Sequence, residues 1–264
     1  MEDTGIEWAD HTFNPWMGCT RVSPACDHCY AAVWGKRFGV EWGSGAPRRL
    51  AKSWAAPKRW HRRAVAQERP ERVFCASLAD VFDAEVPDDW RGQLTTLINA
   101  TPMLDWLLLT KRPVVMCQWW QAHSNMAMLN HVACGVTIEN VASLRARAPI
   151  LEQGWPGRRF WSMEPLLECI PRARLEPYAK SVDWIIVGGE SGPHARPMEL
   201  EWARIIRDFA QANRIPFFMK QLSEHGGQDK RAIPADLAIK EFMPPLAVPA
   251  RMTMARQIIG AARR

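Results

Sequence analysis

Short apolar segments alternate with longer segments of helical periodicity over most of the chain. The short segments are rich in β-branched and aromatic residues and do not alternate with polar residues, which predicts strands that are buried on both faces. The longer segments, among them 89–100, 138–151 and 200–213, carry apolar residues at helical spacing. The predicted strands are residues 11–18, 72–78, 105–110, 131–137, 159–163, 183–187 and 215–220.

This alternation of strands and helices predicts right-handed βαβ units and a parallel sheet. About seven strands are enough for a complete or nearly complete (β/α) barrel of the TIM type. No low-complexity linker divides the chain, so we expect residues 1–264 to form a single (β/α)-barrel domain. A basic, tryptophan-rich insertion at about 36–63 interrupts the alternation between the first two strands.

Polar, charged or glycine-rich residues follow the end of almost every predicted strand. In a parallel barrel the carboxyl ends of the strands meet at one rim, where ligands bind. We therefore expect these residues to contribute to a single ligand-holding site. They are Ser77 and Asp80, Lys111 and Arg112, Glu139 and Asn140, Glu164, Gly188–Gly192, and Lys220–Gln221.

Three cysteines, Cys19, Cys26 and Cys29, lie within eleven residues directly after the first predicted strand. Three thiolates can hold three irons of a 4Fe–4S cluster and leave the fourth iron open to a substrate or cofactor. Two other interpretations remain: a structural zinc site with His28 or a remote cysteine as fourth ligand, and a redox-active pair of Cys26 and Cys29. The place of the three cysteines at the mouth of a barrel favours the open iron–sulfur cluster, and therefore an enzyme.

The distribution of cysteines and the net charge indicate a cellular compartment and a kind of partner. The chain has seven cysteines, and the four outside the cluster lie in apolar segments, which is typical of a reducing compartment. The amino terminus is acidic and lacks the apolar stretch of a signal peptide, and no segment has the apolar length of a membrane span. We therefore expect a cytoplasmic protein without a membrane partner. The net charge of +6 favours a polyanionic partner.

The insertion has two interpretations. Residues 36–63 hold nine lysines and arginines and one glutamate, interleaved with Trp42, Trp54 and Trp60. Cations neutralise phosphates and indoles stack on exposed bases, so the segment is a candidate contact for DNA or RNA. The alternative is a solvated basic flap whose tryptophans pack against the barrel.

Segments spread over almost the whole chain carry a specific resemblance to a family. They are residues 12–19, 22–31, 109–113, 162–166, 184–192 and 217–221. They resemble an uncharacterised family of bacteriophage and prophage proteins, of unknown function, that is grouped by sequence with radical S-adenosylmethionine (SAM) barrels. If the chain is phage-encoded, the resemblance implies the cytoplasm of a bacterial host.

The cysteine loop is itself similar to that of the radical SAM superfamily, in which a C-x2-C pair follows the first strand of a parallel barrel. Two features depart from the usual pattern: six residues separate Cys19 from Cys26, and His28 stands where an aromatic residue is usual. In that superfamily the amino and carboxylate groups of SAM chelate the open iron. An electron from the cluster then cleaves the sulfonium. The resemblance implies a 4Fe–4S cluster and SAM as cofactors, and an electron donor such as flavodoxin or ferredoxin.

Further site residues follow from the superfamily pattern. Residues 76–80 are similar to the second-strand segment of the spore photoproduct lyases, radical SAM enzymes of DNA repair. That strand end binds the SAM amino group in the superfamily, which implies this role for Ser77 and Asp80. Gly188, Gly189 and Glu190 are further candidates for SAM, because glycines permit close backbone approach. A tight strand–helix turn is the alternative interpretation of these three residues.

The remaining charged residues at the rim are candidates for the substrate side. Lys111 and Arg112 suit a carboxylate or a phosphate. Glu139, Glu164 and Lys220 are suited to holding substrate or transferring protons, and structural ion pairs would explain them as well.

The first hypothesis is an iron–sulfur enzyme of radical SAM type that modifies or repairs a nucleic-acid base or nucleotide. The second is a nucleic-acid-binding barrel with a structural zinc site and no SAM chemistry. A third is a barrel that keeps the cysteines but has lost the cluster.

Overall fold

A computed structural model describes residues 4–123, 130–192, 194–223, 232–244 and 248–261 of the chain. The strands are β1 (His11–Thr12), β2 (Trp16–Met17), β3 (Arg49–Leu50), β4 (Glu71–Cys75), β5 (Leu104–Thr110), β6 (Val132–Thr137), β7 (Arg158–Met163), β8 (Trp184–Gly188) and β9 (Phe217–Gln221). The α-helices are α1 (Tyr30–Arg37), α2 (Ala55–Ala66), α3 (Asp88–Asn99), α4 (Pro113–His123), α5 (Val141–Gly154), α6 (Arg172–Leu175), α7 (Leu200–Ala212) and α8 (Val248–Ala261). Short 3-10 turns span Pro24–Cys26 and Glu176–Ser181.

Seven of the strands form one parallel sheet in the order β1, β4, β5, β6, β7, β8, β9. Among the described residues, β1 and β9 are the two edges and do not pair with each other, so the sheet is a curled half-barrel. The predicted parallel α/β alternation is confirmed. Closure into a complete barrel is not confirmed, since about eight strands are needed to close one.

The first predicted strand is broken in two. Residues 11–18 form β1 and, after Asn14 and Pro15, the separate strand β2, which pairs antiparallel with β3. Proline has no N–H to donate to a sheet, so the pairing with β4 ends before it. The chain returns to the main sheet at a single bridge between Gly18 and Ala79.

The concave face of the sheet is filled by large aromatic side chains near the amino ends and middles of the strands. Gly135 makes this possible, because a Cβ there would lie 2.4 Å from the Cζ of Phe160. This filling leaves the carboxyl ends of the strands for a cavity. The concave cluster contains Trp8, Phe74, Leu107, Ala133, Phe160, Trp184, Ile186 and Phe218.

The tryptophans of segment 36–63 pack against the protein. Helix α2 is the crossover between β1 and β4, and its Trp60 is 1% exposed and stacks on His11 with ring centroids 4.2 Å apart. Trp54 lies edge-on to Phe13 at 5.6 Å. Trp42 is half-buried and packs over Gly35. Packing therefore accounts for Trp54 and Trp60, whereas Trp42 also lines a cavity at the carboxyl ends of the strands.

Within the described ranges, no helix combines the length and the apolar character that crossing a membrane requires.

Candidate active site

A cavity of about 150 Å³ opens at the carboxyl ends of the strands. Its floor is apolar and includes Ile6, Trp8, Phe74 and Leu109. Its walls carry polar side chains from successive strand ends, and its rim carries the three clustered cysteines. The polar wall residues are Ser77, Asp80, Thr110, Lys111, Arg112, Thr137, Ser162, Glu164, Glu190, Ser191 and Lys220.

Local backbone geometry brings the three cysteines to this rim. Gly18 has φ of 110° and its N–H donates to Leu78 O at 3.1 Å, so the chain leaves the sheet at this residue and Cys19 faces the cavity. Cys26 ends the 3-10 turn, and Cys29 is the residue before helix α1. All three thiols are partly buried, free of disulfide bonds and in contact with the same cavity.

The donor set suits a thiolate-bound metal group in chemistry and in place. Cysteine thiolates are the ligands of iron–sulfur clusters and of structural zinc. No three histidine, cysteine, aspartate or glutamate side chains converge in metal-binding geometry among the residues that the structure describes. The three thiols therefore share a rim without forming a closed ligand cage.

Cys19 lies in an environment that disfavours an isolated thiolate. Burial and the neighbouring carboxylate of Asp80 together raise the pKa of its thiol to about 12, against the opposing effect of Arg112. The Nη1 of Arg112 lies 3.8 Å from the Cys19 Sγ. A bound cation would supply the additional positive charge that a thiolate needs there.

Asp80 and Arg112 join the end of β5 to the cysteine loop. Asp80 accepts hydrogen bonds from the Thr110 hydroxyl at 2.7 Å and from Arg112 Nη1 at 2.8 Å. Arg112 Nη2 donates to Thr20 O at 2.7 Å, next to Cys19. Both carboxylate oxygens of Asp80 are therefore engaged, and the residue holds Arg112 against the loop.

Ser77 lies on the wall beside a residue that the sequence analysis did not select. Asn14 Nδ2 donates to the Ser77 Oγ at 3.0 Å, and Asn14 Oδ1 accepts from Leu78 N at 2.8 Å. Asn14 thereby fixes the end of β4 from the segment before the cysteines.

Glu190 anchors the other side of the cysteine loop. Arg196 donates to it at 2.6 and 3.0 Å, and His28 Nδ1 lies 3.0 Å from its Oε2. Although burial raises the pKa of Glu190, these hydrogen bonds bring it below its ordinary value. Arg196 also donates to Pro24 O at 2.8 Å within the loop. Sequence inspection missed Arg196, since only the folded chain brings it to Glu190.

The two candidate glycines shape the end of β8. A Cβ on Gly189 would lie 2.3 Å from the Ser223 backbone nitrogen, so no side chain fits there. Gly189 lines the cavity, whereas Gly188 does not and packs against the Glu164 side chain.

Two lysines reach the cavity in different states. Lys220 forms an ion pair with Glu164, whose side chain is 15% exposed. Lys111 is partly exposed and has no hydrogen-bond or ion-pair partner for its ammonium group among the described residues. Lys111 is therefore available to an anionic group of a ligand.

Glu139 does not reach the cavity. It is 1% exposed and accepts from Arg147 Nη1 at 2.6 Å in a buried ion pair. Thr137, two residues earlier, is the residue of β6 that faces the cavity, and the chain then turns into α5. Glu139 therefore forms a structural ion pair with Arg147 away from the cavity.

Thr110, Thr137 and Ser162 are cavity residues that the sequence analysis did not select. Each lies on a strand near its carboxyl end, and none of the three carries the charge that marks most of the predicted site residues. The alternation of side chains along a strand is the pattern that could have identified Thr137 and Ser162.

Residues 3–256 match the family described as "Protein of unknown function (DUF5131)". A search of curated proteins finds no match to the chain.

Solved structures show where the fold recurs. Two variants of spore photoproduct lyase superpose with TM-scores of 0.52 and 0.51, each at 10% identity, covering 82% of this chain and 77% of the lyase. A third variant, with bound AdoMet and dinucleoside spore photoproduct, gives a TM-score of 0.48 at 12% identity, covering 78% and 62%. The first two superpositions, at 10% identity, show a shared fold.

Proposed function

We propose that this chain, which belongs to the DUF5131 family, is an iron–sulfur enzyme of radical SAM type. One observation carries the proposal. Three free thiols lie on the rim of one cavity, at the carboxyl end of a parallel half-barrel, on the loop that follows its first strand. The fold shared with spore photoproduct lyase variants supports the same interpretation.

In this proposal Cys19, Cys26 and Cys29 would hold a 4Fe–4S cluster. When bound, such a cluster supplies the electron for the reductive cleavage of SAM. The Asp80–Arg112 pair holds the loop from one side and the Glu190–Arg196 pair holds it from the other.

We assign some residues of the cavity wall to SAM and others to the substrate. In this proposal Ser77, Asp80, Gly189 and Glu190, which line the cavity, contribute to the SAM site, and Gly188 shapes the strand end behind it. Lys111 supplies a free ammonium group for a carboxylate or a phosphate. The Lys220–Glu164 pair holds a proton at the wall that can pass to or from substrate.

The proposed substrate is a nucleic-acid base or nucleotide, and the proposed electron donor is a flavodoxin or a ferredoxin. The net charge of +6 suits a polyanion. The aromatic cavity floor suits a flat base.

Anaerobic purification followed by metal analysis tests the proposal. We expect about four irons and four sulfides per chain, and 5′-deoxyadenosine from SAM under chemical reduction. Cys26→Ser should lose the iron. The matched control is Cys169→Ser, which changes a partly exposed free cysteine outside the cavity and should keep it. Iron-free protein after anaerobic reconstitution, or equal iron in both variants, would overturn the proposal.

The His28–Glu190 contact favours a second candidate, a nucleic-acid-binding protein with structural zinc. Histidines that bind zinc commonly have their other ring nitrogen hydrogen-bonded to a carboxylate, as His28 Nδ1 is to Glu190 here. Elemental analysis separates the two candidates. One zinc per chain, lost in His28→Ala and needed for folding, would identify the zinc protein.

A further inference from the structure

Helix α1 exposes its large side chains and buries its small ones. Ala31 and Gly35 are buried, and a Cβ on Gly35 would lie 2.7 Å from the Trp42 ring. Trp34 is 45% exposed, and Phe38, directly after the helix, is 46% exposed. An ordinary surface helix places its apolar face inward, and clustered exposed apolar side chains commonly mark a binding surface.

The exposed rings form a row that begins at the cavity. Tyr30, Trp34 and Phe38 are four residues apart and therefore lie along one face. Tyr30 lines the cavity, and the rise of a helix places Trp34 about 6 Å and Phe38 about 12 Å farther along it. The Trp34 and Phe38 rings stack with centroids 6.0 Å apart and an angle of 24°. We call these three residues the aromatic row.

Positive charge accompanies the aromatic row. The Arg37 guanidinium lies 4.8 Å from the Trp34 ring centroid, and Arg49 Nη1 donates to Phe38 O at 2.6 Å. Both arginines are exposed. Along the chain, no acidic residue occurs between Asp27 and Glu41.

We propose that the aromatic row, with Arg37 and Arg49, binds the unpaired bases of a single-stranded nucleic acid beside the cavity. Flat exposed rings stack on bases of any sequence, and adjacent cations neutralise the phosphates between them. The row would hold nucleotides that flank a base displaced into the cavity. This inference rests on the proposed function, because it identifies the substrate class of the same site. It keeps Arg37 and Arg49 of segment 36–63 as the cations of the contact and adds the rings of Tyr30 and Trp34 from helix α1.

Fluorescence anisotropy with a fluorescein-labelled, mixed-sequence single-stranded DNA of about 15 nucleotides tests the proposal. Trp34→Ala should weaken binding by about 5- to 150-fold, the effect of losing one stacked base, and Trp34→Phe should retain most of it. Arg37→Ala should reduce the slope of log affinity against log salt by about 0.7. The matched control is Phe242→Ala, which should leave binding unchanged. Phe242 is 38% exposed with Arg72 over its ring at 4.0 Å, at the amino-terminal end of the sheet.

Three outcomes would overturn the proposal that the aromatic row binds nucleic acid. The first is that Trp34→Ala binds DNA as tightly as the wild-type chain, or is weakened only as much as Phe242→Ala. The second is that Trp34→Ala changes only the apparent mass in gel filtration, which would identify a contact between copies. The third is that it changes only the rate of reduction by flavodoxin, which would identify a protein-docking surface.

Iron content and SAM cleavage of the wild-type chain are measured without nucleic acid, using dithionite. If the chain holds no iron and does not cleave SAM, but its DNA binding depends on Trp34, the proposed enzyme activity is contradicted and the proposed binding surface is supported. If the chain holds iron and cleaves SAM, but its DNA binding does not depend on Trp34, the enzyme activity is supported and the binding surface is contradicted.

Discussion

Replacing Arg112 with methionine tests whether the Asp80–Arg112 pair holds the cysteine loop to the half-barrel. The two side chains are 11% and 8% exposed, so Arg112→Met leaves a buried carboxylate without its cation. Breaking such a pair costs about 3–5 kcal/mol. Asp80 keeps hydrogen bonds from the Thr110 hydroxyl and from two backbone N–H groups, which places the expected cost at the lower end. We expect the free energy of unfolding to fall by about 3 kcal/mol.

Urea denaturation with linear extrapolation measures this loss. Arg204→Met is the matched control, because Arg204 binds Asp236 at 2.9 Å with side chains 34% and 44% exposed. An exposed pair of this kind contributes little to stability, because water screens both charges. Equal losses in the two variants would refute the role given to burial.

The double variant Asp80→Asn/Arg112→Met separates the pair from its parts. With no charge left unpaired, it should be more stable than Arg112→Met alone. A double variant that loses the sum of the two single losses would show that Asp80 and Arg112 act independently.

Three further predictions concern stability and the division between site and scaffold. Gly189→Ala should lower the melting temperature, because its Cβ would lie 2.3 Å from a backbone nitrogen, whereas Gly92→Ala, with open space in a helix, should raise it; equal shifts would contradict the steric explanation. Burial lowers the pKa of His131 from 6.5 to about 4, so the unfolded chain binds more protons between these values. The contribution of His131 to the free energy of unfolding should therefore be fully present above pH 6.5 and fall towards pH 4. The pH dependence should be weaker in His131→Gln, and an unchanged pH profile in that variant would exclude His131 as the cause. Glu139→Gln should cost about 3–5 kcal/mol through its buried pair with Arg147 yet keep the iron content of the wild-type chain, and loss of iron would place Glu139 in the site.

The geometry of the site explains how a loop with few regular elements can hold three thiols in place. Arg112 reaches the loop from the end of β5, and Arg196 reaches it from the segment after β8. Each arginine is itself paired with a carboxylate, Asp80 or Glu190, at a strand end. The loop is therefore fixed from two well-separated strands of the sheet.

The strand pattern was accessible from sequence because a buried strand is a local feature. Five of the seven predicted strands agree with the structure to within two residues at each end, for example residues 105–110 against β5. Prediction failed at 11–18, where Pro15 ends the pairing, and was too long at 72–78, where β4 ends at Cys75.

The sequence by itself determined the α/β alternation and the position of the three cysteines after the first strand. Both depend on residue type and spacing along the chain, and neither requires knowledge of a distant partner. Tertiary structure decided which polar residues share a cavity. Glu139 follows a strand just as Glu164 does, yet Arg147 takes it out of the site.

Tertiary structure also decided which aromatic side chains face solvent. Trp60 and Trp34 are both helical tryptophans beside arginines, but Trp60 packs beneath the sheet on His11 and Trp34 lies on the open face of α1. Burial depends on the surface against which each helix packs. That surface is set by contacts between residues far apart in the chain, which local pattern does not contain.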